Sequence, residues 1–192
     1  MIGVLAFQGS FIEHLRILAK AGIPTKPVRK VEDLKGIDGL ILPGGESTTI
    51  GLLLNTYGMI EPLRERIIAG NLAIWGTCAG TILLAKTITN EKKGQPLLSC
   101  MDITVARNAF GRQLDSFEED VCIVPVGEKP LHCVFIRAPW ITEVGKDVEV
   151  IGKLSDGIII AARQGKMLAT AFHPELSDDA RMHQYFFNIA TE

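Results

Sequence analysis

The strongest constraint on this chain is an alternation in its first half: short apolar runs that end in glycine or proline are separated by segments whose apolar residues recur at helical spacing. Residues 2–7, 25–29, 39–43 and 72–75 read as strands. Between the first two, Ser10 and Glu13 have the S-x-x-E form of a helix capping box. Phe11, Ile12, Leu15, Leu18 and Ala19 follow as one apolar face, with Glu13, Arg16 and Lys20 opposite and Gly22 placed to end the helix. Further helices are expected from about Glu46 and over 59–69. Strand, turn and helix repeated in this order predict a parallel sheet covered on both faces and joined by right-handed crossovers.

After Lys86 the texture changes. Residues 103–106, 121–126, 132–136, 148–154, 157–162 and 167–172 read as short strands with few helices between them, so this half should add antiparallel pairs. A last helix over 178–190 carries Met182, Phe186, Ile189 and Ala190 on one stripe. With 192 residues, 47 % of them hydrophobic, the chain suits a single α/β domain over 1–192, a three-layer sandwich of the flavodoxin-like kind.

Charge and cysteine usage narrow the chemistry. A net charge of −2 without charge blocks gives no footprint for nucleic acid or an anionic membrane surface. No apolar run approaches the roughly 20 residues of a membrane span, and the first residues lack a basic leader, so a cytoplasmic protein is expected. The four cysteines, Cys78, Cys100, Cys122 and Cys133, form no C-x-x-C pair and no His/Cys ligand set, which leaves zinc and disulfide frameworks unsupported.

Cys78 stands apart. Gly76-Thr77-Cys78-Ala79-Gly80 has the G-x-nucleophile-x-G form of a nucleophile elbow, a sharp strand-to-helix turn that lifts the central side chain above the sheet. Glycine on both sides lets neighbouring backbone approach while the nucleophile takes a strained conformation. A helix N-terminus there would favour thiolate over thiol. The bland alternative is a small buried hydrophobe, the commoner fate of a free cysteine.

A nucleophile needs a base. His14 and His183 fall in expected helices, where surface or packing roles are the ordinary reading, and His132 lies in a strand beside Cys133 with no acidic neighbour in sequence. His173 ends an apolar strand and begins H-P-E, where proline favours extended geometry for the residue before it. Residues two apart in an extended segment share a side, which would set Glu175 against the imidazole. The competing reading is a solvated turn. Pro43-Gly44-Gly45-Glu46-Ser47 follows a strand and opens a helix, so its N–H groups, with that of Ala79, could hold an oxyanion. Phosphate binding is the rival there, but the P-loop lysine is missing.

These residues resemble the class I (triad) glutamine amidotransferases. Within that family the closest likeness is to glutaminase subunits of pyridoxal 5′-phosphate synthases, through PGGESTT at 43–49, ARNAFGRQ at 106–113, DSFE at 115–118, FIRAP at 135–139 and FHPEL at 172–176. The likeness runs from Ile2 to the final helix. One departure is Phe7, where a small or aliphatic residue is more usual, and it bears only on local packing.

The resemblance implies Cys78 as nucleophile, His173 as acid and base, Glu175 as its orienting group, and Gly45 and Ala79 as oxyanion donors. Gly45, Glu46, Ser47, Arg107, Ile136 and Arg137 would contact L-glutamine, and Gln8 would lie near a partner interface. On physical grounds alone Arg107 and Arg137 are solvated strand-end arginines or forks for the substrate's α-carboxylate. No cofactor or metal is implied. The implied partner is the synthase subunit, in a large hetero-oligomer. The alternatives are a glutaminase subunit of another amidotransferase such as imidazole glycerol phosphate synthase, a cysteine esterase, or a non-catalytic binding module. An esterase usually places its acid before the histidine, whereas Glu175 follows His173.

Overall fold

The computed structural model describes residues 1–89, 94–107 and 116–192. The first half follows the alternation: β1 (Ile2–Leu5), α1 (Phe11–Lys20), β2 (Thr25–Val28), β3 (Gly39–Leu42), α2 (Ser47–Thr56), α3 (Ile60–Ile68), β4 (Ala73–Thr77) and α4 (Ala79–Leu84). The second half is mostly strand: β5 (Ala85–Thr89), β6 (Met101–Ala106), β7 (Ser116–Val121), β8 (Leu131–Ile136), β9 (Trp140–Val144), β10 (Glu149–Lys153), β11 (Ile159–Gln164) and β12 (Met167–Thr170), closed by α5 (Arg181–Thr191).

One ten-stranded sheet runs β2-β1-β3-β4-β12-β11-β9-β6-β5, with β10 added beside β11, while β7 and β8 form a separate hairpin. The pairs β1–β2, β1–β3, β3–β4 and β4–β12 are parallel. Beyond β12 the pairing turns antiparallel through β11, β9 and β6. The expected mostly parallel core with antiparallel additions is therefore present. Pro27 sits in edge strand β2, where a missing N–H donor is tolerated.

Successive residues of a central strand face opposite layers, and the two cores divide accordingly. Leu40, Leu42 and Ile74 pack toward Ile50 and Leu54 of α2, Leu63 of α3 and Leu83 of α4. Ile41, Ala73 and Trp75 pack toward Leu18 of α1, Phe186 of α5 and Phe135 of the hairpin. These are the three expected layers.

Several local expectations fail for identifiable reasons. Residues 121–126 do not form one strand: Val121 ends β7, and Val124–Val126 is a short 3-10 turn with Pro125 at its start. The strands β5 and β9 carry little alternation that could have revealed them, and each is recruited by pairing with β6. In α1 the buried face is His14, Ile17 and Leu18, whereas Ile12 and Ala19 are exposed. The helix is turned so that His14 enters the interior, where polar partners await it. Gly22 does end α1, with a φ of +72° that suits glycine.

Candidate active site

The carboxyl ends of four neighbouring parallel strands meet at one rim: Gln8 beyond β1, Gly44 to Ser47 beyond β3, Cys78 beyond β4 and His173 beyond β12. Open α/β sheets place ligand crevices at this edge. Cys78 has φ +47° and ψ −104°, a conformation unfavourable for a side chain bearing Cβ. The flanking glycines make it possible. A Cβ on Gly76 would stand 2.4 Å from the Gly80 carbonyl carbon, and one on Gly80 would stand 2.1 Å from the Leu42 carbonyl oxygen. Cys78 N–H donates to the Thr170 carbonyl at 2.8 Å, and the Thr81 hydroxyl, 2.7 Å from the same oxygen, ties α4 to β12.

A cleft of about 320 Å³ opens over this turn. Cys78, Ala79 and His173 border it together with Gly45, Glu46, Ser47, Arg107, Ile136 and Arg137. Every residue expected to contact substrate or oxyanion is therefore on its wall. Ile82 and Pro139, which sequence reasoning did not single out, complete the lining. Arg137 follows β8 with φ +45°, a second strained residue at the cleft. Of the quoted motif at 106–113, Ala106 and Arg107 are described, while 108–113 lie outside the described residues, as does Asp115.

His173 is fixed from several sides. Its N–H donates to the Val134 carbonyl of β8 at 2.8 Å, and its ring lies so close to Gly44 that a Cβ there would stand 2.3 Å from the imidazole Cε1. Nδ1 is 2.7 Å from Glu175 Oε1. The contact does not arise from an extended H-P-E segment: Pro174–Leu176 is a 3-10 turn that folds the carboxylate back beneath the ring. Nor is the turn solvated, since the Glu175 side chain is fully buried. Nε2 is left on the side of the cleft that Cys78 borders, where the Cys78 Sγ lies 3.8 Å from the Ile136 carbonyl oxygen.

The charges follow from these contacts. Burial alone would depress the His173 pKa, but Cys78 and Glu175 outweigh it and carry it up to about 10. Burial would raise that of Glu175, but His14, His173 and Ser10 outweigh it and hold it down to about 2. A protonated imidazole between a carboxylate and a sulfur is the resting arrangement this favours at neutral pH.

Three neighbours of the site escaped the sequence reading. Ser10 makes no helix cap; its hydroxyl donates instead to Glu175 Oε1 at 2.5 Å. His14 lies with Nε2 3.3 Å from Glu175 Oε2. Gln95, buried behind the cleft, accepts a hydrogen bond from Arg107, whose guanidinium also reaches Glu46 Oε1 at 3.3 Å. That clasp holds the Arg107 fork against the wall. Helical spacing records apolar positions only, so it gave no sign that Ser10 and His14 turn toward another element's carboxylate. Gln8 donates through Nε2 to the Glu46 carbonyl at 3.1 Å and packs over Gly45, so it braces the glycine loop.

Comparison with known proteins agrees with this architecture. The SNO glutamine amidotransferase family matches residues 4–192. Pyridoxal 5′-phosphate synthase subunit PdxT of Herpetosiphon aurantiacus is 56 % identical over 189 residues, covering 98 % of this chain and 99 % of its own. The protein of the same name from Carboxydothermus hydrogenoformans is 57 % identical over 185 residues, covering 96 % and 95 %. A crystal structure described as a glutamine amidotransferase superimposes with a TM-score of 0.93 at 50 % identity, covering 100 % of this chain and 99 % of that one. A glutamine amidotransferase from Thermotoga maritima shares the fold at a TM-score of 0.59 and 16 % identity, over 97 % of this chain and 83 % of that one. The chain belongs to the SNO glutamine amidotransferase family.

Proposed function

We propose that this chain is the glutaminase subunit of a pyridoxal 5′-phosphate synthase: it hydrolyses L-glutamine to glutamate and ammonia and passes the ammonia to a synthase subunit. The observation that carries the reading is the strained Cys78 at the β4–α4 turn, sharing one cleft with His173, which is backed by Glu175 at 2.7 Å.

In this mechanism Cys78 sulfur attacks the side-chain amide carbon of glutamine, and the carbonyl oxygen takes up the electron pair. The N–H groups of Gly45 and Ala79 hold that oxygen. His173 gives its Nε2 proton to the departing nitrogen, and ammonia leaves a thioester behind. The now neutral imidazole draws a proton from water, whose oxygen attacks the thioester; glutamate departs and the thiolate and imidazolium are restored. Glu175 keeps Nδ1 protonated throughout. Arg107, braced by Gln95, and Arg137 offer forked donors for the α-carboxylate, while Glu46 suits the α-ammonium.

Free ammonia would be protonated in water, so a nucleophilic fate requires direct transfer. We place the chain accordingly, as one glutaminase domain in a large cytoplasmic hetero-oligomer, with Gln8 near the partner interface. No role for nucleic acid, membrane, metal or cofactor enters this reading. Among the described residues no helix is long and apolar enough to cross a membrane.

Glutamine turnover by wild type and Cys78→Ala, each with and without the synthase subunit, tests this, together with labelling by an electrophilic glutamine analogue. Turnover and labelling that require Cys78 are expected. Turnover that survives in Cys78→Ala would overturn the assignment.

A further inference from the structure

Behind the site lies a buried pair of histidines that the hydrolytic cycle above does not use. His14 of α1 and His183 of α5 are both fully buried, with His14 Nδ1 2.9 Å from His183 Nε2. Trp75 of β4 fixes both rings edge-on, at centroid distances of 5.9 Å and 5.0 Å. His14 Nε2 points to Glu175 Oε2 at 3.3 Å and to the Thr77 hydroxyl oxygen at 3.3 Å. The other ionisable groups around His14 are His173 from the turn and Glu13 on its own helix.

The two oxygens of Glu175 are treated unequally. Oε1 accepts from His173 Nδ1 and from Ser10. Oε2 is buried with no well-directed hydrogen bond among the described residues, and His14 Nε2 is the group set to serve it. An ionised carboxylate only accepts, so a bare nitrogen facing it would set lone pair against lone pair. The proton of His14 must therefore sit on Nε2, which makes its Nδ1 an acceptor and His183 Nε2 the donor to it. The opposite order would also strand a buried N–H at His183 Nδ1, which has no partner among the described residues. Burial lowers the pKa of both rings, in keeping with two neutral imidazoles.

We propose that His14, its tautomer set by His183, is a positioning residue of the reaction, directing an Nε2–H at the second oxygen of Glu175 so that the first stays aligned on His173. The inference rests on the glutaminase reading. It acts through Glu175, so it bears on the chemical step rather than on holding glutamine.

The test compares His14→Leu, which removes the donor, with His14→Gln, which restores an N–H, in the complex with the synthase subunit. Turnover is normalised to sites labelled by the electrophilic glutamine analogue. His14→Leu is expected to lose about 10-fold in kcat, with KM changed less than about twofold, and His14→Gln to recover most of the loss. Equal losses in both variants, or normal turnover per labelled site in His14→Leu, would overturn the proposal. A second measurement needs no variant: ¹⁵N NMR of the wild-type imidazoles should find His14 neutral with its proton on Nε2. A proton on Nδ1, or a charged ring at pH 7, would overturn it as well. Wild type lacking turnover in the complex would instead count against the glutaminase reading, because the tautomer measurement stands apart from turnover.

Discussion

Three histidines in this molecule sit against carboxylates, and the two outside the buried pair, His132 and His173, differ in their means to do chemistry. His132, on the β7–β8 hairpin, has Nδ1 2.8 Å from Asp120 and Nε2 3.0 Å from Glu118, both supplied by the opposite strand. The cross-strand register provides the acidic neighbours that the linear sequence around His132 lacks. Hydrogen bonds donated to Asp120 and Glu118 raise its pKa, yet its side chain is 49 % exposed and both nitrogens are occupied. His173 has one carboxylate, a side chain 9 % exposed, and a second nitrogen left for Cys78. Pairing with an acid is common; pairing that leaves one ring nitrogen free at the wall of a cleft is what makes an acid–base group. Water screens the first pair, whereas burial of Glu175 makes the second strong and directional.

The largest effect should separate the two histidines outright. His173→Ala is expected to lower kcat by about 1,000-fold, and His132→Ala to leave it within about twofold, in glutamine turnover with the synthase subunit. Comparable losses in both would break the distinction. Next, Glu175→Gln should cost about 100-fold in kcat and destabilise the fold by about 3 kcal/mol, read by urea denaturation.

That stability difference should vary with pH. Because the folded pKa of Glu175 is depressed to about 2, its contribution is full above the ordinary 4.5 and lost as pH falls through 2. Because that of His173 is raised to about 10, its contribution is full below the ordinary 6.5 and lost as pH rises through 10. The gap between wild type and Glu175→Gln should therefore be widest between pH 4.5 and 6.5, as the ordinary values of the two groups require. A gap unchanged from pH 2 to 10 would contradict the buried ion pair. The smallest effect belongs to the hairpin: His132→Gln should lower Tm slightly below pH 6.5, the ordinary value from which its pKa is raised, and not at all well above it. A large fall in Tm would mean that the exposed cluster carries more than screening allows.

How much of this could be read from the chain differs from residue to residue. Cys78 was legible because glycines at 76 and 80 are demanded by a close backbone approach that no other residue permits. The strand ends at Gly44, Cys78 and His173 were legible because apolar runs stop there. Glu175 was found for the wrong local reason, since a 3-10 turn and not an extended segment brings it to the ring. Ser10, His14 and His183 read as a cap and two helix residues, because nothing in an amphipathic pattern reveals which polar side chain will meet another element's charge. Gln95, twelve residues before the arginine it braces, carried no signal at all.

Local chemistry along the chain thus settled the alternating elements of the first half and the elbow: hydrophobic period chooses strand or helix, and glycine admits backbone geometry that other residues resist. The tertiary structure alone decided that β12 enters beside β4, and with it that His173 shares a cleft with Cys78. It also decided that α1 and α5 meet behind Glu175, bringing together His14 and His183 from positions 169 residues apart. Such convergence depends on how strands are ordered in the sheet, and strand order is set by the packing of whole layers rather than by any segment's own preference.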